Sequence, residues 1–179
     1  MNETRLVESE SGGLVPESDG WFVLNARDAR WLDGDLGRYC PFEGDGEGRF
    51  GQLGVNLNVL QPGEPMTMYH RESLQEGFLV LAGECVLVIE GEERQLRRWD
   101  FFHCPAGVAH AIVGAGEGPS LVLAVGVRTE SKESGVVYPA DPVAQRHGAG
   151  VETETSSPKE AYARFSWHWR GYEEGWLPE

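Results

Sequence analysis

Two blocks of the sequence constrain the fold more than any other part of the chain. They are PGEPMTMYHRESLQEGFLVLAGE over residues 62–84 and WDFFHCPAGVAHAIVG over residues 99–114. In both, apolar residues alternate at strand spacing, and turn-forming Gly and Pro residues bracket His and Glu side chains that can bind a metal. Strands are predicted at 54–60, 67–72, 77–81, 85–90, 94–99, 100–104, 109–113 and 121–127. The turns between them are Ala82-Gly83-Glu84, an EGEE link at 90–93 and Pro105-Ala106-Gly107. Short strands at this spacing, separated by Gly and Pro, predict an all-β barrel or sandwich. In GVNLNVL (54–60), Val55, Leu57 and Val59 share one face, while Asn56 and Asn58 on the other are suited to a cavity or to solvent.

Strand geometry lets the candidate donors converge. His70 and Glu72, two apart, point to the same face. The Ser73-Leu74-Gln75 link brings Glu76 to an adjacent strand, and the turn at Pro105 and Gly107 returns His110 to the same height. Two imidazoles and two carboxylates around one point, with positions left for water or substrate, suit a divalent transition metal: Fe, Mn, Ni or Zn. Glu72 has a second reading, as a catalytic acid/base rather than a ligand. His103, His147 and His168 read as structural. A shift of one residue gives a competing register, with Tyr69 and Arg71 facing inward and a metal-free pocket that offers an Arg to an anionic ligand.

These blocks resemble the two conserved motifs of the cupin superfamily, in particular single-domain bacterial cupins of the cupin 2 conserved barrel type. Gly63, His70, Glu76 and Gly83 fall at the places of the first motif, and Pro105, Gly107 and His110 at those of the second. The chain departs from the pattern at three points. Glu72 stands where a second histidine is usual, the gap from Gly63 to His70 is one residue longer, and Gly114 replaces the closing Asn. The resemblance implies a double-stranded β-helix (jelly-roll) barrel, here with an irregular N-terminal extension and a short C-terminal helix. It also implies a metal site at His70, Glu72, Glu76 and His110, a small-molecule ligand or substrate, and a homodimer with residues 31–42 near its interface. The function expected from it is metal-dependent enzymology on a small oxygenated molecule, of dioxygenase, sugar isomerase or decarboxylase type. The alternatives are a non-catalytic binder or sensor, with or without metal, and an interaction protein with a vestigial site.

The remaining chain divides into an N-terminal segment (1–20), the barrel (21–128) and a C-terminal extension (129–179). Residues 1–20, rich in Glu, Ser and Gly, are expected to be mobile. A short strand is expected at 21–24, followed by an irregular stretch up to residue 48 whose aromatic residues lie across the outside of the barrel. A short helix is predicted at 141–147. A second, at 158–165, is announced by Ser157 as cap, Pro158 at the first helical position and Glu160 three after the cap. The tail with Trp167, Trp169, Tyr172 and Trp176 is expected to pack on the barrel or on a partner. A formal charge of −14 disfavours nucleic acid and anionic lipid as partners. No apolar run is long enough for a membrane span, and the opening residues do not read as a signal peptide. Three cysteines without CxxC spacing read as buried hydrophobes, and the expected location is the cytoplasm.

Overall fold

The computed structural model describes residues 2–128 and 135–178. Residues 129–134, where the barrel was expected to give way to the C-terminal extension, lie outside the described residues.

The strands are β1 (Leu6–Glu8), β2 (Leu14–Pro16), β3 (Arg30–Gly34), β4 (Gly37–Pro41), β5 (Leu53–Leu60), β6 (Glu76–Ala82), β7 (Glu84–Ile89), β8 (Glu92–Arg97), β9 (Phe101–Cys104), β10 (His110–Ala115), β11 (Ser120–Val127) and β12 (Trp167–Gly171). Two short helices, α1 (Pro142–Arg146) and α2 (Pro158–Ala161), lie between β11 and β12. A seven-stranded sheet has the order β12-β3-β4-β5-β11-β6-β9, and a three-stranded sheet the order β10-β7-β8. All their pairings are antiparallel. The segment before β6 runs along β10 through the isolated bridges Pro65–Val113 and His70–His110 and so extends the smaller sheet. The two layers make the all-β jelly roll expected from the sequence.

Alternation along the strands places the core. Leu60, Phe78, Val80 and Val122 of the larger sheet meet Cys85, Leu87 and Ile112 of the smaller one, all buried. Burying each such side chain contributes about 1.5–3 kcal/mol. The opposite face of the larger sheet carries a second cluster, where Trp31, Cys40 and Val59 pack under Trp176. Cys40, Cys85 and Cys104 are all free and buried. The β7–β8 hairpin closes through Glu90-Gly91, with Ile89 opposite Glu92 and φ values of 49° and 76°, the tight turn that matches strand twist.

Several expectations are corrected. Residues 6–16, for which no strand was expected, form the β1–β2 hairpin. It turns through Gly12 and Gly13, and Gly13 lies so close to the Ala29 backbone that a Cβ there would sit 2.5 Å from the Ala29 oxygen. Composition hid this hairpin because few apolar residues hold it: backbone pairing joins the strands, and Val15 and Pro16 supply the buried apolar contact. The strand expected at 21–24 is a single bridge, Glu3–Trp21. The stretch at 31–42 is not an irregular outer layer, since β3 and β4 extend the larger sheet and Trp31 is fully buried. The strand expected at 67–72 makes isolated bridges only. Helix α2 stops at Ala161 rather than continuing to residue 165.

Helix α1 forms where expected, with the Asp141 carboxylate accepting from the Val143 and Ala144 amides. Ser157 caps α2, although Glu160 meets the Thr155 hydroxyl at 2.5 Å rather than the cap's own amide. The aromatic tail packs on its own barrel. β12 pairs with β3, and Trp176 meets Trp31 edge-on at 5.7 Å.

Candidate metal centre

His70 and His110 stand opposite each other as a hydrogen-bonded antiparallel pair. The His70 amide donates to the His110 carbonyl at 3.1 Å, and the His110 amide to the His70 carbonyl at 2.9 Å. Side chains of directly opposed residues share a face, so the two rings lie 4.9 Å apart, centroid to centroid. The Gly107 amide, in a turn at φ 84°, donates to the Glu72 carbonyl at 2.7 Å and ties the two sequence blocks together at the site.

The carbonyls behind the rings fix their tautomers. His70 Nδ1 lies 2.7 Å from the Met68 oxygen, and His110 Nδ1 lies 3.2 Å from the Val108 oxygen and 3.3 Å from Cys104 Sγ. A carbonyl only accepts, so each Nδ1 carries a proton; the Nε2 of His110 is left to present its lone pair to the interior, and that of His70 faces Glu72 and Glu76. Both Nε2 atoms face Glu76, whose Oε2 lies 3.4 Å from that of His110 and 3.8 Å from that of His70. The ligand atoms of His70, Glu76 and His110 all lie within 4.8 Å of one another. Glu72 Oε1 is 3.5 Å from His70 Nε2 and more open to solvent, at the edge of this cluster.

The electrostatics suit a cation. Burial, helped by the neighbouring His70 charge, lowers the His110 pKa to about 4, so its imidazole is neutral. Burial also disfavours the His70 imidazolium, but the Glu72 hydrogen bond, the Glu76 charge and the Met68 carbonyl outweigh it and hold the pKa above the ordinary value. Burial raises Glu76 to about 7; the His70 charge pulls against this and Glu72 adds to it. His110 Nε2 is buried with no hydrogen-bond partner. A buried lone pair aimed at a carboxylate with nothing between them is what a metal would relieve. The donor set of two imidazoles with one or two carboxylates fits a divalent transition metal.

The competing register is not the one found. Tyr69 packs on the far side of the smaller sheet with Val88, Ala111 and Ala149, and Arg71 lies 3.8 Å from Glu154. His103 and His168 are exposed, and His147 pairs with Glu93 at 3.1 Å, all away from the cluster.

A cavity of about 330 Å³ opens beside Glu76 and runs across the inner face of the larger sheet. Its wall includes Phe78 on β6, Ala124 on β11, Asn56 and Asn58 on β5, Tyr39 on β4, Leu32 on β3 and Trp167 on β12, with Met66, Thr67 and Tyr162 covering it. Of the two settings alternation offered Asn56 and Asn58, cavity or solvent, the cavity is the one found. Leu32, Tyr39, Tyr162 and Trp167 were not legible as cavity residues, because they reach the cavity through pairings of β3, β4 and β12 that no local pattern announced.

A jelly-roll barrel with a cluster of two histidines and a carboxylate beside an internal cavity defines the class. Residues 56–126, which include all four candidate site residues, match the family model for the cupin domain. This stretch is a cupin domain. No curated protein shows significant similarity to it. Solved structures similar to it include a sugar phosphate isomerase of the cupin superfamily from Silicibacter pomeroyi, at 24% identity, 86% of this chain, 83% of that one and a TM-score of 0.47. A candidate sugar phosphate isomerase from Acidithiobacillus ferrooxidans matches at 24% identity over 56% of this chain, with a TM-score of 0.47, and the present chain spans 63% of its length. A cupin protein from Bacteroides fragilis matches at 24% identity over 47% of this chain and 72% of its own, with a TM-score of 0.42.

Proposed function

We propose that the chain is a metal-dependent enzyme acting on a small oxygenated molecule held in the cavity beside Glu76. The orphaned, buried Nε2 of His110, aimed at Glu76 with His70 Nε2 facing the same carboxylate, carries this reading. His70, Glu76 and His110 would hold a divalent transition metal, with Glu72 as a fourth ligand or as an acid/base. Such a metal would polarise a substrate oxygen as a Lewis acid. Glu72, partly open to solvent beside His70, would take or return a proton, while the Met68 and Val108 carbonyls hold a proton on each Nδ1. Isomerisation, decarboxylation and oxygenation all fit this arrangement.

The test is consumption of a panel of diketones, hydroxyketones and sugars by chelator-treated protein with and without Fe, Mn, Ni or Zn. Turnover that appears only with metal supports the proposal. Turnover by the metal-free protein contradicts it, and binding without turnover in every state favours the sensor reading.

A homodimer and a cytoplasmic location are carried as proposals. Residues 31–42 remain the proposed interface region, with Trp31 itself covered by the chain's own Trp176 and Tyr172. Light scattering that gives twice the chain mass supports the dimer, and the mass of one chain contradicts it. No helix among the described residues is long and apolar enough to cross a membrane.

A further inference from the structure

We propose that the cavity takes an uncharged substrate, a small molecule with an apolar or aromatic body and an oxygen function at its Glu76 end. This rests on the metal-dependent reading above and adds the class of molecule to it.

The cavity is a channel laid across the strands. Register places its wall residues side by side: Phe78 opposite Ala124, Ala124 opposite Asn56, Asn58 opposite Tyr39, and Tyr39 opposite Leu32. One end is the Glu76 carboxyl and the other is the half-exposed Trp167 ring. A planar or aliphatic body lying along this line would touch Phe78, Met66, Leu32 and Trp167, and a volume of about 330 Å³ is at the small end for a ligand site.

Among the described residues, no Lys or Arg lines the channel. The arginines nearest in sequence to its wall are engaged elsewhere, Arg164 with the Gly148 carbonyl. Arg38, beside Gly37 and Tyr39, meets Asp33 at 3.2 Å and lies over Trp176 on the opposite face of the sheet. Arg30 meets Asp45 at 2.7 Å and stacks on Trp169. Burial raises the pKa of both Tyr39 and Tyr162, so both hydroxyls stay neutral at ordinary pH. A phosphate or carboxylate on the substrate would lose its hydration there and find no counter-charge. A dication at the Glu76 end would be the channel's one positive centre, and Glu72 and Glu76 together would offset it.

The polar groups present are neutral ones. Asn58 Nδ2 donates to Asn56 Oδ1 at 2.6 Å, fixing a pair of amides in the wall. The Thr67 hydroxyl, also in the wall, is buried with no hydrogen-bond partner. An unpaired hydroxyl in a mostly apolar channel is satisfied by a ligand carbonyl or hydroxyl, and it gives the site a means of orienting an uncharged oxygen.

The test uses calorimetric titration of the full chain, metal-free and loaded with Mn(II), with three probes. These are 1-phenyl-1,2-propanedione, its para-carboxylate and fructose 6-phosphate. The neutral dione is expected to bind at least about tenfold more tightly than either anion in both states. Trp167→Ala is expected to weaken the dione by about fivefold to tenfold while leaving metal content unchanged. An anion that binds as tightly as the dione in either state overturns the proposal. So does a dione that fails to bind at millimolar concentration, or a Trp167→Ala variant that binds it as well as the parent. If the order holds but Mn(II) is never taken up, the neutral cavity stands and the metal-dependent reading fails.

Discussion

His70 and His110 exchange both backbone hydrogen bonds across two separate sequence blocks, and this pair sets the spacing of the candidate metal centre. Neither ring's direction depends on a flexible loop. Each is fixed from in front by the pairing and from behind by a main-chain carbonyl two residues earlier.

Glu72 separates two uses of a carboxylate at the edge of the cluster. If it is a ligand, Glu72→His keeps the metal, since imidazole is an equivalent donor, and Glu72→Gln loses affinity with the charge. If it is an acid/base, Glu72→Gln keeps full metal content and turnover falls by about 100-fold or more. Metal-to-protein ratio and turnover measured on both variants decide between these outcomes.

The Glu43–Arg128 pair governs part of the acid stability. Arg128 reaches Glu43 through both terminal nitrogens, one contact being 2.6 Å, and also donates to the Phe50 carbonyl at 2.9 Å. Burial works against the Glu43 carboxylate, but the Arg128 and Phe50 hydrogen bonds outweigh it and hold the pKa below the ordinary value. A depressed folded pKa gives stability that is present above the unfolded value and is lost as pH falls through the folded one. Glu43→Gln is therefore expected to cost about 1–2 kcal/mol at neutral pH. The melting temperature of this variant should fall less steeply between neutral and acid pH than that of the parent. Equal slopes would contradict the assignment.

Trp176 closes the outer cluster over Trp31, beneath the guanidinium of Arg38. Trp176→Ala is expected to cost about 3–5 kcal/mol, read as a fall in denaturant midpoint. Removing residues 158–179 should cost more, because it also takes β12 from the edge of β3 and Tyr162 from the cavity. A truncated protein as stable as the parent would show that the tail contributes nothing to the barrel.

Deleting residues 1–18 is likewise expected to lower the melting temperature. It removes buried Val15 and Pro16, of which the valine alone is worth about 1.5–3 kcal/mol, and the hairpin that packs on Ala29. At about 2–4 °C per kcal/mol for a chain of this size, the fall should be several degrees. An unchanged melting temperature would mean that the hairpin is held only loosely.

The jelly roll was legible because each strand of its central part carries its own alternation and turn chemistry, as the Glu90-Gly91 and Pro105-Ala106-Gly107 turns show. The candidate site was legible for the same reason: a two-residue strand period and a three-residue link place His70, Glu72 and Glu76 near one another without knowledge of the far strands. What escaped the sequence depends on partners distant in the chain. β12 reads WHWRG, an alternation too short to announce a strand by itself, and becomes a strand by pairing with β3, more than a hundred residues earlier. Gly34 shows how close that approach is, since a Cβ there would sit 2.3 Å from the Ser166 oxygen. The far end of the cavity was lost with it, because Leu32 and Trp167 are brought together only by that pairing.

The most direct test of the metal centre is the metal-to-protein ratio of the parent and of His110→Ala, each purified without added metal and then supplied with Fe, Mn, Ni or Zn. Convergence of His70, Glu76 and His110 predicts about one transition-metal ion per parent chain and loss of most of it in the variant. A parent that binds none of the four, or a variant that keeps the full complement, would contradict it.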